Sequence, residues 1–97
     1  MKIVFTPRSL LDLEDIADYL KRRSPQGAVR VRAAILGALG HLTQFPGLGR
    51  RQSVDGVRKI GVRRYPYLIY YTVDEKAAEI LVLSVQHAAR EREFSDA

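Results

Sequence analysis

The chain has 97 residues, of which 46% are hydrophobic, contains no cysteine, and carries a formal net charge of +5. A chain of about 100 residues buries roughly two thirds of its unfolded surface, so residues 1–97 are expected to form one domain; the missing cysteines exclude disulfides, thiolate zinc sites and cysteine nucleophiles, and fit a reducing compartment. The longest apolar run falls far below the ~20 residues a membrane span needs, and Thr6-Pro7 stops MKIVF before it could serve as a signal segment, so a soluble, cytoplasmic protein is expected.

Residues 2–5, KIVF, form a short apolar run of strand type. Thr6-Pro7 then reads as a helix N-cap with proline at the first helical position. Leu10, Leu13, Ala17 and Leu20 follow at spacings of three and four, an apolar helix stripe. Asp12, Glu14, Asp15 and Asp18 lie largely off that stripe and read as a solvated face, and Lys21-Arg22-Arg23 suits a helix C-terminus. Ser24-Pro25 repeats the start signal. Ala28, Val31, Ile35, Ala38, Leu42 and Phe45 mark a second amphipathic helix, stopped by Pro46-Gly47. So short a connection predicts an antiparallel helical hairpin.

The tract 47–56 holds three glycines without periodicity and reads as loop. Residues 57–63, VRKIGVR, have strand character. In YPYLIYYTV, Tyr67, Ile69, Tyr71 and Val73 share one face, with Leu68, Tyr70 and Thr72 on the other. Pro66 fits only a strand's start or an edge. DEKAA supplies a turn, and residues 79–87 form a strand apolar on both faces over its middle, hence an interior one. The sum is α+β: β-α-α-β-β-β, an N-terminal helical hairpin packed on a small antiparallel sheet. Only the final residues are polar enough to read as disordered.

Charge is unevenly spread. From Tyr19 to Val73 there are eleven cations and one anion, Asp55, and twelve of the chain's sixteen cations are arginine. Such a field draws anionic partners, and arginine makes forked contacts with phosphate and carboxylate. In VRKIGVRR, Arg58 and Arg64 share one face with Ile60 and Val62, while Lys59 and Arg63 share the other with Val57 and Gly61. A face turned from the helices would present a row of cations about 6–7 Å apart. His87 ends the last strand and Arg90 follows it. Arginine can stabilise a phosphorane-like transition state and histidine can move a proton, so these residues could also support phosphodiester cleavage. The tyrosines 67, 70 and 71 read as core, since base stacking would need an exposed aromatic platform.

Other chemistry is poorly supported. His41 and His87 are the only histidines, so no metal site and no cofactor are expected. Neither glycine-rich phosphate fingerprint nor a nucleophile elbow is present.

The order of motifs resembles the RelE/ParE superfamily of small bacterial toxins from type II toxin–antitoxin systems, and within it the ParE branch. The matching pieces are LLDLEDIADYL (10–20), SPQGAVRVRAAI (24–35), FPGLGR (45–50), GVRKIGVRRYPYLIYYTV (56–73) and EILVLSVQHAAR (79–90). The resemblance implies the same fold and a cognate antitoxin, a protein with a DNA-binding end and an acidic or amphipathic segment that wraps the toxin. In the RelE branch it implies mRNA cleavage on the ribosome by lysine, arginine and often a C-terminal tyrosine or histidine. In the ParE branch it implies poisoning of DNA gyrase by trapping its cleaved complex. Here Lys59 is the only lysine within the strands that follow the helices, and Phe94 stands where a tyrosine would follow His87. The expectation is therefore a gyrase-inhibiting toxin, hetero-oligomeric with its antitoxin, with Arg58, Lys59, Arg63 and Arg64 as sheet contacts and His87 and Arg90 as terminal contacts. The alternative, a ribosome-dependent endoribonuclease, would rest on Arg58, Arg63, Arg64, His87 and Arg90. A third reading is a non-toxic relative that serves only as a binding partner.

Overall fold

The computed structural model describes residues 1–90; Phe94 and the polar end of the chain lie outside the described residues. Strand β1 (Lys2–Phe5) leads into helix α1 (Pro7–Arg23) and helix α2 (Pro25–Gln44). Strands β2 (Arg50–Arg51), β3 (Arg58–Gly61), β4 (Tyr67–Asp74) and β5 (Glu79–His87) follow, and a 3-10 turn covers Ala88–Arg90. The five strands make one sheet in the order β1-β5-β4-β3-β2. The α+β class is as expected, with two additions. β1 pairs with β5 in parallel, so the sheet is mixed around an antiparallel β3–β4–β5 meander. A two-residue strand, β2, emerges from what read as loop and pairs antiparallel with β3. Neither is set locally: β1 meets β5 across almost the whole chain, and two residues carry no periodicity.

Both helices start as the sequence predicts. Thr6 Oγ1 accepts from Ser9 N–H, and Ser24 Oγ accepts from Gly27 N–H, with proline next in each case. Ser24 also closes α1 by donating its N–H to Leu20 O, so one residue ends one helix and starts the next. α2 buries Val31, Ile35, Ala38, Leu39 and Leu42 against Tyr67, Ile69, Tyr71, Ile80 and Val82 of the sheet. Each large apolar side chain so buried contributes about 1.5–3 kcal/mol.

The stripe of α1 keeps Leu13 and Leu20 of its expected residues but not Leu10. Leu10 is exposed, whereas Ser9 is fully buried with its hydroxyl donating to Thr6 O, and Leu13, Ile16 and Leu20 pack on the core. Phe45 is exposed too, because α2 ends at Gln44 before another turn could carry it inward. Asp12, expected on the solvated face, faces β5. Its Oδ2 accepts from Ser84 Oγ at 2.9 Å and Val85 N–H at 3.0 Å, while Arg8 Nε lies 3.5 Å from Oδ1. A carboxylate here satisfies a buried hydroxyl that apolar packing would strand.

A second polar knot fixes the loop after α2. Tyr71 Oη donates to Pro46 O and accepts from Gly49 N–H, both at 2.8 Å. A Cβ on Gly49 would lie 2.6 Å from that hydroxyl and 2.9 Å from Lys59 O, so only glycine lets the backbone approach. Tyr71→Phe should therefore lower stability by about 1–3 kcal/mol in urea titration, since it strands the buried Gly49 amide and the half-buried Pro46 carbonyl. Burial raises the phenol of Tyr67, with a smaller contribution from Tyr19. It also raises that of Tyr71, partly offset by the Gly49 amide and Arg58. Both folded values thus exceed the unfolded value of 10.0. Their contribution to stability is complete below pH 10 and is lost as pH rises through the raised folded values. Thermal midpoints measured across that range should show the fall, and Tyr71→Phe should shrink it.

Candidate partner-binding site at the β3–β4 turn

Strand β3 ends at Gly61, three residues short of Arg64, so Arg63 and Arg64 occupy the turn into β4 rather than a strand. The turn is narrow because Val62 N–H donates to Tyr67 O at 3.0 Å and Tyr67 N–H donates to Tyr65 O at 2.9 Å. Val62 is buried and anchors the turn's near side. Arg64 adopts φ 73°, the left-handed region that costs a residue with a Cβ roughly 1–2 kcal/mol. Both arginine side chains are exposed.

The far wall comes from β5. Tyr67 stands opposite His87 in the β4–β5 ladder, with ring centroids 5.5 Å apart and planes at 83°. Ala88 N–H donates to Pro66 O at 2.8 Å, tying the 3-10 turn to the β3–β4 turn. Ala89 N–H donates to His87 Nδ1 at 3.1 Å, so the neutral ring carries its proton on Nε2. Arg63, Arg64, His87 and Arg90 are therefore gathered at one end of the sheet. Tyr19 and Arg23 approach that end from α1, Arg23 with its guanidinium 4.6 Å from the Tyr19 ring centroid.

Arg58 and Lys59 lie elsewhere. They precede Gly61 on β3, with Arg58 about 10 Å from it by strand rise. Arg58 shares the core-facing side with Ile60, and its Nη1 donates to Gly49 O at 2.8 Å and Gly47 O at 3.3 Å. Lys59 is on the opposite face, so no row of cations runs along β3. Around these two residues the structure adds Arg50 and Arg51, opposite Lys59 and Arg58 respectively. Sequence reasoning assigned Arg50 and Arg51 to a loop; the adjacent pair itself was the only signal. The tyrosines of β4 are buried as expected, Tyr70 and Tyr71 completely, which leaves no stacking platform there. Among the described residues no group of three or more metal-ligating side chains converges, and no helix is long and apolar enough to cross a membrane.

A family model for the ParE toxin of the type II toxin–antitoxin system parDE matches residues 3–92. The toxin RelE2 of Caulobacter vibrioides is 34% identical over 89 residues, covering 92% of this chain and 97% of that one. Among solved structures, the chromosomal ParDE system of P. aeruginosa superposes with a TM-score of 0.76 at 27% identity, over 90% of this chain and 95% of that one. The intact E. coli RelBE toxin–antitoxin complex shares the fold, with a TM-score of 0.65 at 22% identity, over 94% of this chain and 98% of that one.

Arg64→Gly removes both a strained backbone and an exposed guanidinium. It should leave stability unchanged or raise it by up to about 1 kcal/mol by thermal melting, while weakening the binding of an anionic partner.

Proposed function

The chain belongs to the ParE toxin family of type II toxin–antitoxin systems, and from that premise we propose that it inhibits DNA gyrase and is held inactive in the cytoplasm by a cognate antitoxin. The proposal takes residues 1–97 as one toxin domain. The observation that carries it is the division of the cationic residues. Arg63, Arg64, His87 and Arg90 share one rigid end, while Arg58, which a cleavage site would draw on, already donates to two loop carbonyls. Positioned cations without a converged acid–base pair suit a protein that grips an anionic surface and holds a state in place. Arg63, Arg64, His87 and Arg90 are the contacts proposed at that end, with Lys59 and the Arg58 side of β3 as a flanking patch. The likeness to the P. aeruginosa ParDE system supports the same reading.

One feature favours ribosome-dependent mRNA cleavage instead: His87, with Nε2 the protonated nitrogen of its neutral ring, stands at the same end as Arg63 and Arg90. That site would need Arg63 on the phosphate and His87 as an imidazolium, released from the Ala89 N–H, as proton donor.

Purified toxin in a DNA supercoiling assay separates the two. Micromolar protein should block gyrase, and an Arg63→Glu, Arg64→Glu double variant should need at least about tenfold more, one contact's worth of roughly 1.4 kcal/mol. Unimpaired supercoiling at micromolar toxin would overturn the gyrase reading. Codon-associated cuts on translating ribosomes, lost in His87→Ala, would establish the alternative.

A further inference from the structure

We propose that the groove between α2 and the outer edge of β3 is a binding site for a nucleoside polyphosphate, with the phosphate chain on Arg30, Arg63 and Arg64 and the base in the apolar stretch beside them. This goes beyond the toxin reading and holds whichever target the toxin has. The groove encloses about 630 Å³, within the roughly 300–1,000 Å³ of small-ligand sites. Arg30 enters it from α2, Arg63 and Arg64 from the β3–β4 turn, and no carboxylate lines it. None of the three guanidinium groups has a hydrogen bond or ion pair among the described residues. Arginine forks match phosphate oxygens, and three of them around one cavity suit a chain of phosphates better than a single one. The larger groove between α1 and α2 differs: Glu14 lines it together with Lys21 and Arg32, so no unopposed cluster forms there.

The charge sits at one end of the groove. Arg58, at the start of β3, donates to Gly47 O and Gly49 O just past the C-terminus of α2, so β3 runs from there back along the helix. The turn and Arg30 therefore share one end, and His41 marks the other, about 16 Å along α2. Between them α2 lines the groove with nothing larger than alanine: Ala33, Ala34, Gly37 and Ala38. Ile60 and Gly61 face these, with no strand on their outer side, because β2 pairs only with Arg58 and Lys59. A Cβ built on Gly37 or on Gly61 meets nothing within 4 Å, which leaves an apolar slot for a flat ring. The His41 imidazole, unpartnered among the described residues, can hydrogen-bond the edge of that ring. A nucleic-acid strand would need cations along the whole groove, and an inorganic anion would leave the slot wet. A molecule with phosphates at one end and a base at the other uses both.

Calorimetry on the purified full chain, titrated with adenosine or guanosine triphosphate up to about 1 mM, tests this. At least one of the two should bind saturably, and inorganic triphosphate at least tenfold more weakly. Arg30→Ala removes a phosphate contact and Gly37→Leu fills the slot. Each should weaken nucleotide binding at least tenfold; alanine and leucine are good helix formers, and circular dichroism verifies the fold. Arg32→Ala removes an equal charge from the other groove and should stay within twofold of wild type. Saturable binding of neither nucleotide, or inorganic triphosphate binding as tightly as a nucleotide, would overturn the proposal. So would equal losses in Arg30→Ala and Arg32→Ala, which would reduce the effect to net charge. The readout is direct binding, so it is decided independently of gyrase inhibition.

Discussion

The register of β4 against β5 is the constraint on which the rest of the molecule depends. Ile69, Tyr71, Ile80 and Val82 have no exposed surface, and pairing Tyr71 with Val82 and Val73 with Ile80 puts them on the face the helices cover. A slip of one residue would turn that whole set outward. The ladder also contains one irregularity: Tyr70 pairs with Ser84 but Tyr71 with Val82, which leaves Leu83 without a partner in register. Without that extra residue the face would run Ile80, Val82, Ser84, Gln86. With it the face continues through Val85 to His87, opposite Ile69 and Tyr67. The bulge therefore brings the histidine against the Tyr67 ring, and leaves Ser84 and the Val85 amide for Asp12 of α1 to bind. Helix docking and placement of the candidate site share one cause.

Cations in this protein fall into groups by what faces them. Arg8 is spent on Asp12, Arg23 on the Tyr19 ring, and Arg58 on the dipoles of two loop carbonyls. That last arrangement follows from β2. Arg51 sits directly opposite Arg58 and Arg50 opposite Lys59, and like charges so placed are destabilising by a few tenths of a kcal/mol to about 1. Turning the Arg58 guanidinium onto the carbonyls of Gly47 and Gly49 relieves one of these contacts and secures the loop that Tyr71 also holds. At the β3–β4 turn no such relief exists among the described residues. Arg63 and Arg64 project from a turn braced by Val62, Tyr67 and Pro66, and one of them sits in a strained conformation. Folding alone gives no reason to put unneutralised arginine there.

How far the sequence was legible depends on the range of the cause. Helix caps at Thr6 and Ser24, the α2 stripe as far as Leu42 and the two faces of β4 are set by neighbours within a turn or a few residues, and all were readable. The parallel union of β1 with β5, the two-residue β2 and the β5 bulge are set by chain segments far away in sequence, and none left a local trace. Asp12 misled for the same reason. Beside Glu14 and Asp15 it looks like another solvated acid, and only the bulge reveals Ser84 as its partner. For the candidate site, residue types were legible and positions were not: alternation placed Arg58 with Arg64 on one strand face, whereas β3 stops at Gly61 and separates them. Arg30 and His41 gave no signal as partners of the turn, since only tertiary packing lays α2 beside β3.

These placements bear on what kind of anionic surface the turn can hold. Ions interact appreciably within about 8 Å at physiological salt, so arginines in a single turn act as one charge cluster rather than as independent contacts. A partner that brings carboxylates or phosphates to that cluster neutralises it as a unit, and a second anionic partner then finds little attraction left. Electrostatics at the turn therefore supplies exclusivity but little discrimination, because every polyanion satisfies it. Discrimination must come from the apolar surface beside it: the low face of α2 around Gly37 and the unpaired flank of Ile60 and Gly61. A partner with an acidic and an apolar side gains from both terms, while a purely charged one gains from the first alone. On this arrangement the helical hairpin does more than cover the sheet: its second helix lays a low apolar face beside the cationic turn.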